Sequence, residues 1–111
     1  MRAWLLGCLL LWAGTTAARA EASPDSAEWV MPGCQAFLSD GKSELFKQGV
    51  CLGMTAAVSE MPGICAPNGM THEQSVRIVV RYIEAQPAPA RARFIDLARE
   101  AFAAAWPCNK A

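Results

Sequence analysis

Five cysteines and one histidine are the side chains of this 111-residue chain with the most chemistry to offer: Cys8, Cys34, Cys51, Cys65, Cys108 and His72. Thiols can ligate a metal, act as nucleophiles, or pair with one another. Zinc sites bring their ligands in close pairs. The last four cysteines instead stand 17, 14 and 43 residues apart with no C-x-x-C among them, and His72 is the sole histidine. A cysteine nucleophile needs a free thiol and an activating base, whereas His72 sits beside Glu73 as a solvent-facing helix-start residue. No Gly-rich phosphate loop, paired-carboxylate signature or metal motif is visible. The expectation is a non-enzyme with no cofactor and no metal, whose cysteines act as staples.

Staples need an oxidising compartment, and the N-terminus points to one. Arg2 is followed by an uncharged stretch from Ala3 to Ala18 rich in leucine, and Ala18-Arg19-Ala20 fits a small-x-small cleavage site. This is the pattern of a secretory signal peptide over residues 1–20, which starts the mature chain at Glu21. Two other readings stand beside it. A membrane anchor needs about 20 apolar residues, more than this run supplies. A lipoprotein cleaved before Cys8 would leave most of the apolar run on the mature protein.

Signal cleavage leaves 91 residues, a single domain whose hydrophobic core alone gives modest stability. Without Arg2 and Arg19, eight Lys and Arg face ten Asp and Glu, a net charge of −2. No basic run exists, which argues against nucleic acid as a partner. The mature chain keeps Cys34, Cys51, Cys65 and Cys108, an even count that reads as a two-disulfide framework.

The elements that must position these cysteines are helical. Residues 21–32 read as a loose leader, with Met31-Pro32-Gly33 as a turn signal and a short helix over 34–38. Ser43 to Glu60 reads as a helix in which Phe46, Val50, Met54, Ala57 and Met61 fall close to one stripe. Gly49, Gly53 and Ala57 form a second stripe of small residues, read as tight packing against another backbone near Cys51. Met61 to Gly69, with two prolines and two glycines, is a loop. Thr71 with Gln74 forms a capping box. Val76, Val79, Val80 and Ile83 then mark one buried face, with Glu73 and Arg77 as an i,i+4 pair. A last helix spans about Ala90 to Trp106, with Pro89 suited to its first turn; Phe94, Leu97, Ala98, Ala101, Phe102 and Ala105 share a face. Arg91, Arg93 and Arg99 read as a solvated face among Asp96 and Glu100. The fold class is all-α, a small disulfide-stapled bundle of about four helices over residues 33–111.

Three disulfide pairings are formally allowed. The last two helices are joined by a short connection and should be antiparallel neighbours. Cys65 precedes one and Cys108 follows the other, so these two should meet, leaving Cys34 for Cys51. Loops of these lengths stabilise by roughly 3 and 4 kcal/mol in the chain-entropy model.

Taken in order, Gly33-Cys34, Gln48-Gly49-Val50-Cys51-Leu52-Gly53, Ile64-Cys65-Ala66-Pro67, Val79-Val80-Arg81-Tyr82-Ile83 and Trp106-Pro107-Cys108 resemble the Rap/Tai family of periplasmic immunity proteins. The resemblance runs over about residues 31–108. It implies an all-α, often dimeric protein that binds and occludes a peptidoglycan amidase effector of type VI secretion. It also implies a periplasmic location, with no membrane association after signal cleavage. Two other classes remain: a periplasmic acid-stress chaperone and a structural envelope protein. For an inhibitor, rigid loops are the natural contact points because they lose little entropy on binding. Met61–Gly69 and Gln86–Arg91 both qualify. The second is favoured, with Gln86, Pro87, Pro89 and Arg91 as partner-binding residues and Arg93 beside them. The plainer alternative is that Pro87 and Pro89 only end one helix and start the next.

Overall fold

In a computed structural model, described here for residues 14, 22–87 and 92–108, four helices follow one another: α1 (Ala27–Leu38), α2 (Leu45–Ser59), α3 (His72–Glu84) and α4 (Phe94–Ala105). The described residues contain no strand, and the two disulfides are Cys34–Cys51 and Cys65–Cys108. The chain is thus a small, disulfide-stapled all-α bundle. Residues 1–20 other than Gly14, including Cys8 and the expected cleavage site, lie outside the described residues, as do 88–91.

The start of the bundle corrects the expected loose leader. Ser26 is an N-cap whose hydroxyl accepts from the Trp29 amide at 3.2 Å, satisfying one of the unpaired amides of a first turn. Ala27, Val30, Met31 and Cys34 follow at offsets 0, 3, 4 and 7, and all are buried. Pro32 and Gly33 therefore lie inside α1 rather than in a turn. Pro32 gives up one rung, the amide that would have met the carbonyl of Glu28, an exposed residue at which water can substitute. Gly33 is required by packing. A Cβ there would fall 2.6 Å from the Gln48 amide nitrogen and closer still to the carbonyl group of Lys47. The backbones of α1 and α2 cross at this point, and Cys34–Cys51 pins the crossing with a Cα–Cα distance of 5.5 Å.

α2 buries Gln48, Cys51, Thr55 and Val58. Thr55 is polar and 1 % exposed, but its hydroxyl donates to the Cys51 carbonyl at 2.9 Å. Neither stripe expected for α2 is its core face. Phe46 and Ala57 are exposed, Val50, Met54 and Met61 half-buried, and open space surrounds Gly49 and Gly53. The close backbone approach near Cys51 exists, but the glycine that permits it is Gly33 on the other helix.

α3 follows its pattern closely. Thr71 and Gln74 form the capping box, at 3.2 and 3.0 Å. Val76, Val79, Val80 and Ile83 are buried, and Arg77 donates to Glu73 at 2.7 Å. α4 starts at Phe94 rather than near Ala90. The reason is that the residues before it pair with the start of α1: Ala27 N–H donates to the Ala92 carbonyl at 2.9 Å, and Phe94 N–H to that of Asp25 at 2.7 Å. A second such bridge closes the opposite end, where Cys65 N–H donates to the Trp106 carbonyl at 2.9 Å. Phe94, Leu97, Ala98, Ala101 and Phe102 are buried, while Ala105 is exposed. Trp106 stacks on Phe102 with ring centroids 4.7 Å apart.

Candidate partner-binding surfaces

Three surfaces merit attention, and the cysteines organise the first. Cys65 sits in the loop after α2 and is joined to Cys108 across a Cα–Cα distance of 5.0 Å. Ile64 plugs into the core beside it. Held at these two points, the segment Ala66–Met70 stands as one wall of a groove of about 470 Å³, whose other wall is the end of α2 from Thr55 to Glu60. Thr71, His72 and Ser75 at the start of α3 form its floor. The lining is mostly small and polar. Buried side-chain nitrogens and oxygens among the described residues all have hydrogen-bond partners. His72 lies here, at the first position of α3, exposed as expected.

The second surface is the connection between α3 and α4. Gln86 folds back, with its amide N–H on the Ile83 carbonyl at 3.0 Å and its side-chain Nε2 donating to the Tyr82 carbonyl at 3.1 Å. Pro87 is exposed. Pro89 and Arg91 lie outside the described residues. Beyond them, Arg93 is engaged: Nε is 3.5 Å from Asp25 and a terminal nitrogen is 3.9 Å from Asp96. The Asp25 carboxyl is held below its ordinary pKa chiefly by the Ser23 hydroxyl that donates to it; desolvation opposes this, and its own backbone amide and then Arg93 add smaller lowering effects. This end of the bundle is therefore clipped to α1. The cation at Arg93 is shared with two carboxylates and is not free beside the tip. Along the same seam, Tyr82 donates to Glu100 at 3.0 Å, which raises the pKa of the phenol and ties α3 to α4.

The third surface carries no site motif in the sequence. Leu45 and Phe46, 68 % and 76 % exposed, are the exposed large hydrophobic side chains among the described residues. Both stand at the start of α2. Trp29 meets Phe46 edge-on, with centroids 6.1 Å apart, and Lys47 lies over the Trp29 ring at 4.9 Å. The legible signal was charge: from Gln48 to Ser59 there is none.

The four-cysteine bundle with this order of caps and staples has a counterpart among known families. A family model of Rap1a immunity proteins matches residues 17–108. The chain belongs to this family. The match spans all four helices and both disulfides of the Rap1a-type domain. No curated protein and no solved structure matches the chain. Membership makes the protein an immunity protein whose partner is an effector protein. Among the described residues no helix is long and apolar enough to cross a membrane.

Proposed function

We propose that this protein acts in the periplasm, where it binds a peptidoglycan amidase effector of type VI secretion and occludes its active site. The observation that carries the proposal is the Rap1a family match over residues 17–108. Two features of the chain agree with it. The signal-peptide pattern of residues 1–20 would deliver the protein to the compartment where peptidoglycan is exposed, and two disulfides suit that oxidising space. The proposed action requires no chemistry of its own. A bundle fastened at both ends loses little entropy when it docks, which favours occlusion of a cleft.

Contact is assigned to the Gln86–Arg91 connection, through Gln86, Pro87, Pro89 and Arg91. The stapled Met61–Gly69 segment is the second choice. The test is co-expression with the amidases encoded in the same genome, reading lysis and amidase rate. Binding and inhibition of one of them is the expected result; inhibition of none overturns the proposal. Replacing residues 86–91 by a neutral Gly/Ser linker, with folding verified, should abolish inhibition. If inhibition survives, the contact lies elsewhere, and the same replacement in the Met61–Gly69 segment, sparing Cys65, decides between the loops.

A further inference from the structure

The two disulfides are alike in chemistry and opposite in access. Cys34 and Cys51 are each 0 % exposed, sealed between α1 and α2 at the Gly33 crossing. Cys65 and Cys108 are both exposed and lie outside the helices. Thiol–disulfide exchange begins with attack of a thiolate on one sulfur, so access decides which bond reacts. The chain flanking the exposed pair does not repel an anionic nucleophile: residues 61–71 and 101–107 contain no acidic side chain. Attack on Cys34–Cys51 requires α1 and α2 to part first, and openings of the core are the rarest in a native fold.

Cleavage of the exposed bond has a structural consequence. Cys65 anchors the upstream end of Ala66–Met70, the groove wall that faces Thr55–Glu60, and the Thr71–Gln74 capping box anchors the downstream end. With the sulfurs parted, the upstream end is retained by Ile64 in the core and by one hydrogen bond, from Cys65 N–H to the Trp106 carbonyl. A single backbone hydrogen bond contributes little net stability and opens far more readily than a covalent link. The same two contacts keep the thiols neighbours, so the bond can re-form without refolding. Trp106 stays stacked on Phe102, and Cys34–Cys51 still fastens α1 to α2.

We propose that Cys65–Cys108 is a site of reversible reduction by a dithiol, and that its opening releases the Ala66–Met70 wall of the groove while the buried disulfide and the four helices stay in place. One thiolate of the dithiol attacks a sulfur of the pair, forms a mixed disulfide and expels the other sulfur as a thiolate. The second thiolate of the dithiol then attacks the mixed bond and expels the remaining cysteine. Two electrons pass to the chain, the dithiol becomes a disulfide, and its two protons end on the thiols of Cys65 and Cys108. This chemistry is independent of which effector the protein binds.

The test uses the native, oxidised protein with dithiothreitol as the dithiol, an alkylating agent to trap free thiols, and peptide mapping to locate them. Cys65 and Cys108 should be trapped at least about a hundredfold faster than Cys34 and Cys51, since the buried pair reacts only from an opened core. Circular dichroism of the singly reduced protein should retain the helical signal. Hydrogen exchange of the Cys65 amide should quicken by about tenfold or more, while amides of α1 and α2 beside Cys34–Cys51 keep their protection. Removal of the reductant and mild oxidation should restore both the bond and the slow exchange. Reduction of the two bonds together, reduction of Cys34–Cys51 first, or resistance of both in the native state overturns the proposal. So does loss of helix with the first bond, which would make Cys65–Cys108 a staple of the whole fold. An unchanged Cys65 amide after selective reduction also overturns it, because the wall would then be held without the sulfurs.

Discussion

Gly33→Ala and Gly49→Ala should change stability in opposite directions, although the substitution is the same and both glycines are helical. At Gly33 the new methyl falls on the backbone of Lys47 and Gln48, at 2.6 Å or less. Backbone cannot rotate away as a side-chain end can, and Cys34–Cys51 next door prevents the two helices from parting. Overpacking of this kind costs about 1–3 kcal/mol, and the upper end applies where both elements are fixed. The gain in helix propensity, about 1 kcal/mol, offsets part of it. The net expectation is a loss of about 2 kcal/mol, or a Tm lower by roughly 10 °C for a domain of this size. Gly49→Ala meets nothing and keeps the propensity gain alone, about 0.5–1 kcal/mol, for a Tm a few degrees higher. Urea unfolding of the oxidised proteins measures both. A Gly33→Ala variant as stable as the parent, with an unchanged m-value, would refute the packing account of this crossing.

Three further outcomes are expected. Replacing Cys65 and Cys108 together by Ala should remove about 4 kcal/mol in the chain-entropy model and loosen the groove wall at Ala66–Met70, read by thermal unfolding and by hydrogen exchange confined to that segment. Thr71→Ala breaks the capping box and should cost about 1 kcal/mol in chemical denaturation, without changing the disulfides. The lowered pKa of Asp25 means that its contribution is fully present above the unfolded-state value and disappears as pH falls through the folded one. Asp25→Asn should therefore flatten the acid limb of a stability–pH curve, and an unaltered limb would show that the Ser23 and Arg93 contacts contribute nothing.

Much of the fold was legible because local and tertiary demands coincide. Thr71, Gln74 and the valine face of α3 state the same helix three ways, and the short α3–α4 connection places Cys65 beside Cys108. α1 was missed where they conflict. Pro32-Gly33 is a strong turn signal, but Ser26 and the Ala27, Val30, Met31, Cys34 spacing outweigh it once a core is there to receive them. On α2 the apolar stripe was visible and its burial was not. Periodicity marks a face without naming what lies against it, and the buried positions Gln48 and Thr55 are polar residues satisfied by nearby carbonyls. Tight packing was assigned to Gly49 and Gly53 instead of Gly33 because small residues at regular spacing are conspicuous and a single glycine beside proline is not. The start of α4 is not legible in the local pattern, since the pairing of residues 92–94 with 25–27 links distant parts of the chain and leaves no local trace.

The two disulfides join cysteines in sequence order, 34 with 51 and then 65 with 108. Their covalent loops neither nest nor cross. Under the proposed export, with Cys8 removed along with residues 1–20, a chain delivered N-terminus first into an oxidising compartment presents Cys51 while Cys34 is the sole free thiol, and Cys108 while Cys65 is. An oxidant that joins each newly emerged thiol to the one still waiting makes both native bonds without trial and error. Under that export, this connectivity reaches its native pairing without a disulfide isomerase, whereas crossed or nested connectivity would need one.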